Sequence, residues 1–212
     1  MADEQISFWR NIQVAVALVS VLWIVQFAQY FGLFDFTHFA NHPRHWEGLK
    51  GIIFSPFIHD PNNFEHIISN SLPFLVLITV LLSAYPRVAL PVLVFVHLTS
   101  GILVWLFAPE DTYHIGISGI IYGIAAFLIA SGIFRKDRTS VTIAILVTLV
   151  YGGSIWGFIP TEGVSWQSHL FGAVSGIFIA FIERRVDLPP PHEFQLEKIE
   201  EDRHFFDDRP GN

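Results

Sequence analysis

Six stretches of this chain are apolar over the length needed to cross a bilayer, and none contains Asp, Glu, Lys or Arg. They cover residues 11–31, 67–84, 88–107, 117–134, 139–159 and 169–182. A membrane core takes roughly 17–25 helical residues to span, so only the last run is short and must borrow from its flanks. Charged side chains make up 15% of the chain, against about 25% in an ordinary soluble domain. They gather in the connections, as the cost of burying an ion in lipid requires. The expected fold is an all-α, integral, multi-pass membrane protein.

The first run does not read as a removable signal. Its leader MADEQ is acidic, the run is too long, and no clear small-x-small cleavage site follows. Cysteine is absent, which removes disulfides and thiol chemistry. The net charge of −7 comes largely from the C-terminal tail, and no basic patch suggests nucleic acid. Basic residues mark alternate connections: Arg10, Arg87, the RKDR of 135–138 and Arg184–Arg185. The intervening connections carry Glu110, Asp111 and Glu162, apart from the long first loop (32–66), which has both signs. The positive-inside rule then predicts both termini in the cytoplasm, with spans two, four and six running from outside to inside. The aromatic-rich first loop is expected in the membrane interface. Residues 1–185 read as the membrane domain and 186–212 as an acidic, disordered cytoplasmic tail, a short helix over about 192–204 being the alternative.

With that orientation, the polar residues of the even spans converge. His66 and Asn70 lie one helical turn apart at the head of span two. Ser118 opens span four, with Tyr122 one turn below, and His169 opens span six. These groups enter from one side, at shallow depth, on three parallel helices. Gly119 and Gly123 form a G-x-x-x-G pair on span four, and Gly172 and Gly176 form another on span six. Small residues at that spacing let transmembrane backbones approach closely. Docking the two seams would bring Ser118, beside Gly119, within reach of His169, which tops the second seam.

Each feature has a plainer explanation when taken alone. Serine and glycine are common where transmembrane helices meet, and a G-x-S-G such as Gly116–Gly119 arises by composition in about one chain in twenty of this length. The joint placement is what points to chemistry. His97, mid-span, is expected to be a packed, hydrogen-bonded residue. His38, His42, His45 and His59 fall in the first loop, and His192 and His204 in the tail. His114 precedes the G-x-S-G and could reach the site from above.

GISG on the fourth run, SHLFGAVSG on the sixth and HIISN on the second resemble the rhomboid intramembrane serine proteases, as does the six-span layout, over residues 1 to about 185. The resemblance implies a six-transmembrane-helix bundle with Ser118 as nucleophile and His169 as base. It further implies that His66 and Asn70 help form an oxyanion hole and that Tyr122 packs against the histidine. Gly116, Gly119, Gly172 and Gly176 would support the site. Substrates would be single-span membrane proteins cut within the bilayer, often after small residues. No cofactor or metal is called for, and the setting would be a bacterial plasma membrane. One departure concerns the first loop. Many rhomboids carry Trp-Arg there; this chain has Arg44-His45-Trp46, and Trp9-Arg10 precedes the first run.

The chemistry would be acyl transfer by a Ser–His dyad, since no carboxylate lies within the runs to orient the imidazole. Pro73 denies a hydrogen bond to the Ser69 carbonyl and could bend span two beside the site. The glycines at 152, 153 and 157 would loosen the end of span five. Trp156 and Phe158 would then be either plugs between spans five and two or interface anchors. The rival functions are a catalytically inactive rhomboid-like chaperone or binding protein and, more remotely, a transporter. A transporter would usually carry ionisable groups along its spans.

Overall fold

The computed structural model describes residues 2–161 and 163–188. Its long helices are α1 (Ala2–Tyr30), α3 (Glu65–Ala84), α4 (Ala89–Phe107), α5 (Ser118–Arg135), α6 (Arg138–Tyr151) and α7 (Trp166–Ile182). A single turn, α2 (Gly51–Phe54), lies in the first loop. Each apolar run therefore corresponds to one long helix, with two differences. The fifth run tightens after Tyr151 into a 3₁₀ segment, Gly152–Phe158. The sixth helix starts at Trp166, which places His169 in its first turn. Among the described residues, five helices have the length and hydropathy to cross a membrane, and the 17-residue α7 is a shorter apolar helix. Pro73 sits inside α3 without ending it.

The bundle is built around α5, whose Gly119, Gly123, Ile124, Phe127 and Leu128 are all buried. The α5–α7 contact is the tightest. A Cβ on Gly172 would collide with the carbonyl oxygen of Gly119, and one on Gly176 with that of Gly123. Lipid tails are as apolar as leucine, so helices in a membrane associate through such close packing rather than by hiding apolar surface. The outer face agrees with that environment: Leu90, Leu149, Val150, Phe178 and Phe181 project outward. Helix α3 packs between α1 and α5, while α6 packs mainly on α5, with Gly132 receiving Ala144, and its Ser140 accepts a hydrogen bond from Tyr85 at the end of α3.

The first loop folds over the end of the bundle where α3, α5 and α7 begin. Asn41 and His114 exchange backbone hydrogen bonds, and the Gly116 amide donates to Ser55. Arg44 closes the C-terminal end of α4, donating to the Leu106 and Ala108 carbonyls and to Glu110. In this chain an arginine of the first loop thus does a helix-capping task without a Trp-Arg pair. At the opposite end Arg135 donates to the carbonyls of Glu183 and Val186 and lies over the ring of Tyr85.

Candidate active site

The chain reaches Ser118 through Gly116, whose φ of +98° is open to glycine and costly for other residues. A Cβ there would also meet the ring of His66 at 2.7 Å. Gly116 thus turns the backbone and seats His66 beside the serine. Along the glycine seam, α7 brings His169 Nε2 to 2.9 Å from Ser118 Oγ, and both residues are buried.

The protonation pattern follows from the partners. His169 Nδ1 lies 2.7 Å from the carbonyl oxygen of Gly157. A carbonyl can only accept, so Nδ1 carries the proton and Nε2 turns its lone pair to the serine hydroxyl. Tyr122 stacks on the imidazole at 4.1 Å and 8°, and its hydroxyl donates to the Ser154 carbonyl at 2.6 Å. Phe158 meets Tyr122 edge-on at 5.1 Å. A Cβ at residue 157 would strike the Tyr122 hydroxyl. Gly157 is therefore wedged into the site rather than loosening the helix end. The ring is oriented by a main-chain oxygen and an aromatic face, the work a carboxylate does in a triad.

His66 and Asn70, on the first turns of α3, line the same cavity as Ser118 and His169. Asn70 is 7% exposed, and its Nδ2 has no hydrogen-bond partner among the described residues. The amide is a donor without a partner among the described residues, in the same cavity as Ser118. The cavity, about 1400 Å³, continues as a groove with α5 as its floor, reaching Phe134 and Tyr151, with α3 on one side and the α6 end on the other. Its far half is lined by Leu77, Ala126, Ile129, Ala130 and Ile133.

All nine residues picked out by sequence thus fall at this site or along the seam beneath it. His97 bonds through Nε2 to the Ile53 carbonyl at 3.0 Å, as a packed residue should. Trp156 is 72% exposed and points away from the bundle. It is not wedged between spans five and two, because the 3₁₀ winding of 152–158 turns it outward while Phe158 turns in. His192, His204 and the tail beyond Leu188 lie outside the described residues.

Three contributors belong to no motif in the sequence. The Gly157 carbonyl is one, since every residue has a carbonyl. His59 is fully buried, its ring 4.9 Å from that of His66. Burial, then the proximity of His66, pushes its pKa down to about 3. His114 is the third. It is 5% exposed, bonded through both ring nitrogens, and held by burial at a pKa of about 4.

Comparison with known proteins agrees with this architecture. The family model of the Rhomboid domain matches residues 45–186, well over half of the chain. The chain belongs to the rhomboid family. Among curated relatives, this rhomboid is 35% identical over 151 residues to an uncharacterized protein of Mycobacterium tuberculosis, covering 66% of its own length and 61% of the relative. It is 37% identical over 145 residues to an uncharacterized protein of Mycobacterium leprae, covering 63% of itself and 56% of the relative. The rhomboid chain thus spans about three fifths of the length of the relatives it matches. It is an integral, multi-pass membrane protein with the all-helical build of its family.

Proposed function

We propose that this rhomboid is an intramembrane serine endopeptidase that cuts transmembrane segments of single-span membrane proteins. The observation that carries the reading is the 2.9 Å contact of Ser118 Oγ with a His169 Nε2 whose lone pair is fixed by Gly157. As a substrate carbonyl approaches, His169 takes the hydroxyl proton and Oγ bonds to the carbonyl carbon. The resulting oxyanion is met by Asn70 Nδ2, by His66 and by the Ser118 amide at the N-terminus of α5, where helical N–H groups have no intrahelical partner. His169 then protonates the leaving nitrogen, the peptide bond breaks, and an acyl ester remains on Ser118. Water, deprotonated by His169, hydrolyses that ester and restores the serine.

The groove along α5 suits a substrate helix lying beside the site, its small side chains leaving room near Ala126 and Ala130. Residues 1–185 would form the protease domain, both termini would face the cytoplasm, and the setting would be a bacterial plasma membrane. The test is labelling by a fluorophosphonate probe together with cleavage of a model transmembrane substrate in detergent. Ser118→Ala and His169→Ala should each lower turnover by about 10³-fold or more, while His97→Ala keeps activity per folded molecule. Turnover in Ser118→Ala close to wild type would leave a membrane-binding or chaperone role in place of catalysis.

A further inference from the structure

His114 belongs to neither half of the dyad, yet it joins the segments that carry both halves. Its backbone pairs with Asn41 of the first loop, N–H to carbonyl in each direction at 2.9 and 3.0 Å. Its Nε2 lies 2.9 Å from Thr112 Oγ1, and its Nδ1 2.5 Å from Ser165 Oγ, which in turn lies 2.5 Å from Ser168 Oγ.

Counting protons gives this chain a direction. Thr112 donates its one hydroxyl proton to the Pro109 carbonyl at 2.6 Å, so toward His114 it can only accept, and Nε2 carries the ring proton. Nδ1 then accepts from Ser165. With its proton spent, Ser165 accepts from Ser168. The series Ser168, Ser165, His114, Thr112, Pro109 thus uses each proton once, and hydrogen bonds in such a chain polarise and strengthen one another.

Ser165 is the N-cap residue of α7, yet its side chain makes no capping bond. A serine there normally bonds an amide of the first turn, for about 1 kcal/mol. That bond is given up in favour of His114. The main chain of Ser165 accepts the His169 amide at 3.3 Å, so fixing Ser165 fixes the backbone that carries the base. Ser168 is equally well placed: its carbonyl oxygen lies 3.0 Å from where a Cβ on Gly119 would stand.

We infer that His114 is a positioning residue: through Ser165 and Ser168 it clasps the first turn of α7 to the loop that leads into Ser118, and so keeps His169 in register with the nucleophile. This rests on the protease reading for its kinetic consequence but not for its structural one. The buried, neutral imidazole serves as a rigid two-ended spacer whose role is geometric.

The experiment compares His114→Phe, His114→Gln and Ser165→Ala with wild type, all checked by thermal melting. Hydrogen exchange of the 165–169 amides is measured by mass spectrometry, and kcat and KM on a transmembrane substrate. Ser165→Ala is the mild variant, since no helix cap is lost with that hydroxyl. His114→Phe and Ser165→Ala should speed exchange at 165–169 by about tenfold, with α3 unchanged. They should also lower kcat by about 10- to 100-fold, because small misplacements of a catalytic group are costly, with KM moving less than about twofold. His114→Gln, which retains a donor and an acceptor, should recover most of both. Unchanged exchange and kcat in folded His114→Phe and Ser165→Ala would overturn the inference. So would faster exchange with intact kcat, which leaves His114 a structural tie alone. If wild type itself lacks Ser118-dependent turnover, the protease reading falls, and exchange at 165–169 decides whether His114 holds that turn.

Discussion

A buried amide nitrogen with no partner costs roughly 1–3 kcal/mol, and Asn70 Nδ2 stands in that position beside Ser118. On the proposed protease reading, such a cost is offset by what the amide would donate to during turnover. Asn70→Ala should leave the melting temperature unchanged or raise it, while lowering kcat by about 10²–10³-fold, the usual loss for one oxyanion donor. A parallel fall in stability and kcat would make Asn70 a packing residue instead. His59 makes the fold sensitive to pH. Its ring is neutral in the fold, with a pKa pushed down to about 3 by burial and then by His66. The unfolded chain titrates near 6.5. Below about pH 6.5 the unfolded state therefore binds the extra proton. The stability present above that pH is lost as pH falls toward 3, at up to about 1.4 kcal/mol per pH unit. His114, held at about 4, adds in the same direction. Melting in detergent should drop from about pH 7 to about pH 5 in wild type and drop less in His59→Phe; an equal drop in both would remove His59 as a source.

Among the elements, the seam between α5 and α7 was legible in the sequence because small residues four apart leave a mark in the side-chain pattern. The same pattern carried Ser118 and His169 into contact. The orienting groups were not legible, for a physical reason. The Gly157 carbonyl is main chain, and the His114–Ser165 bond joins residues that neither period nor motif relates. The end of the fifth run shows the limit most clearly. Its glycines suggested looseness, yet they differ from one another. A methyl group added at Gly153 would meet nothing within 4 Å, whereas Gly157 is packed against Tyr122 and His169. Gly153→Ala should therefore be neutral or stabilise by about 0.4–1 kcal/mol through the unfolded chain. Gly172→Ala, which would press a methyl into the Gly119 carbonyl, should lower both melting temperature and turnover, since backbone cannot rotate aside. Equal melting temperatures for these two variants would mean that the seam tolerates a wider spacing than the one seen.

For the whole molecule, the two ends of the bundle differ in charge and in contents. The starts of α3, α5 and α7 bring His66, Ser118 and His169 together at one end, under the first loop. Arg87, Arg135, Lys136 and Arg138 lie at the other. That separation is what the positive-inside rule acts on, because short connections rich in Lys and Arg stay on the cytoplasmic side. The site end carries Arg44, paired with Glu110 at 2.7 Å, and Lys50, set among Asp35, Glu47, Asp60, Glu65 and Asp111. Under the rule the site would face outward, and the bundle couples the two, since inverting one connection would invert the candidate site with it. Single cysteines make this measurable against a background with no native cysteine. Asp111 and Arg138 are placed at opposite ends, Asp111 exposed and Arg138 at the start of α6. In intact cells Asp111→Cys should react with an impermeant thiol reagent, and Arg138→Cys should react only after permeabilisation. The reverse pattern would turn the dyad toward the cytoplasm, and substrates would then have to present their cleavable bond near the inner leaflet.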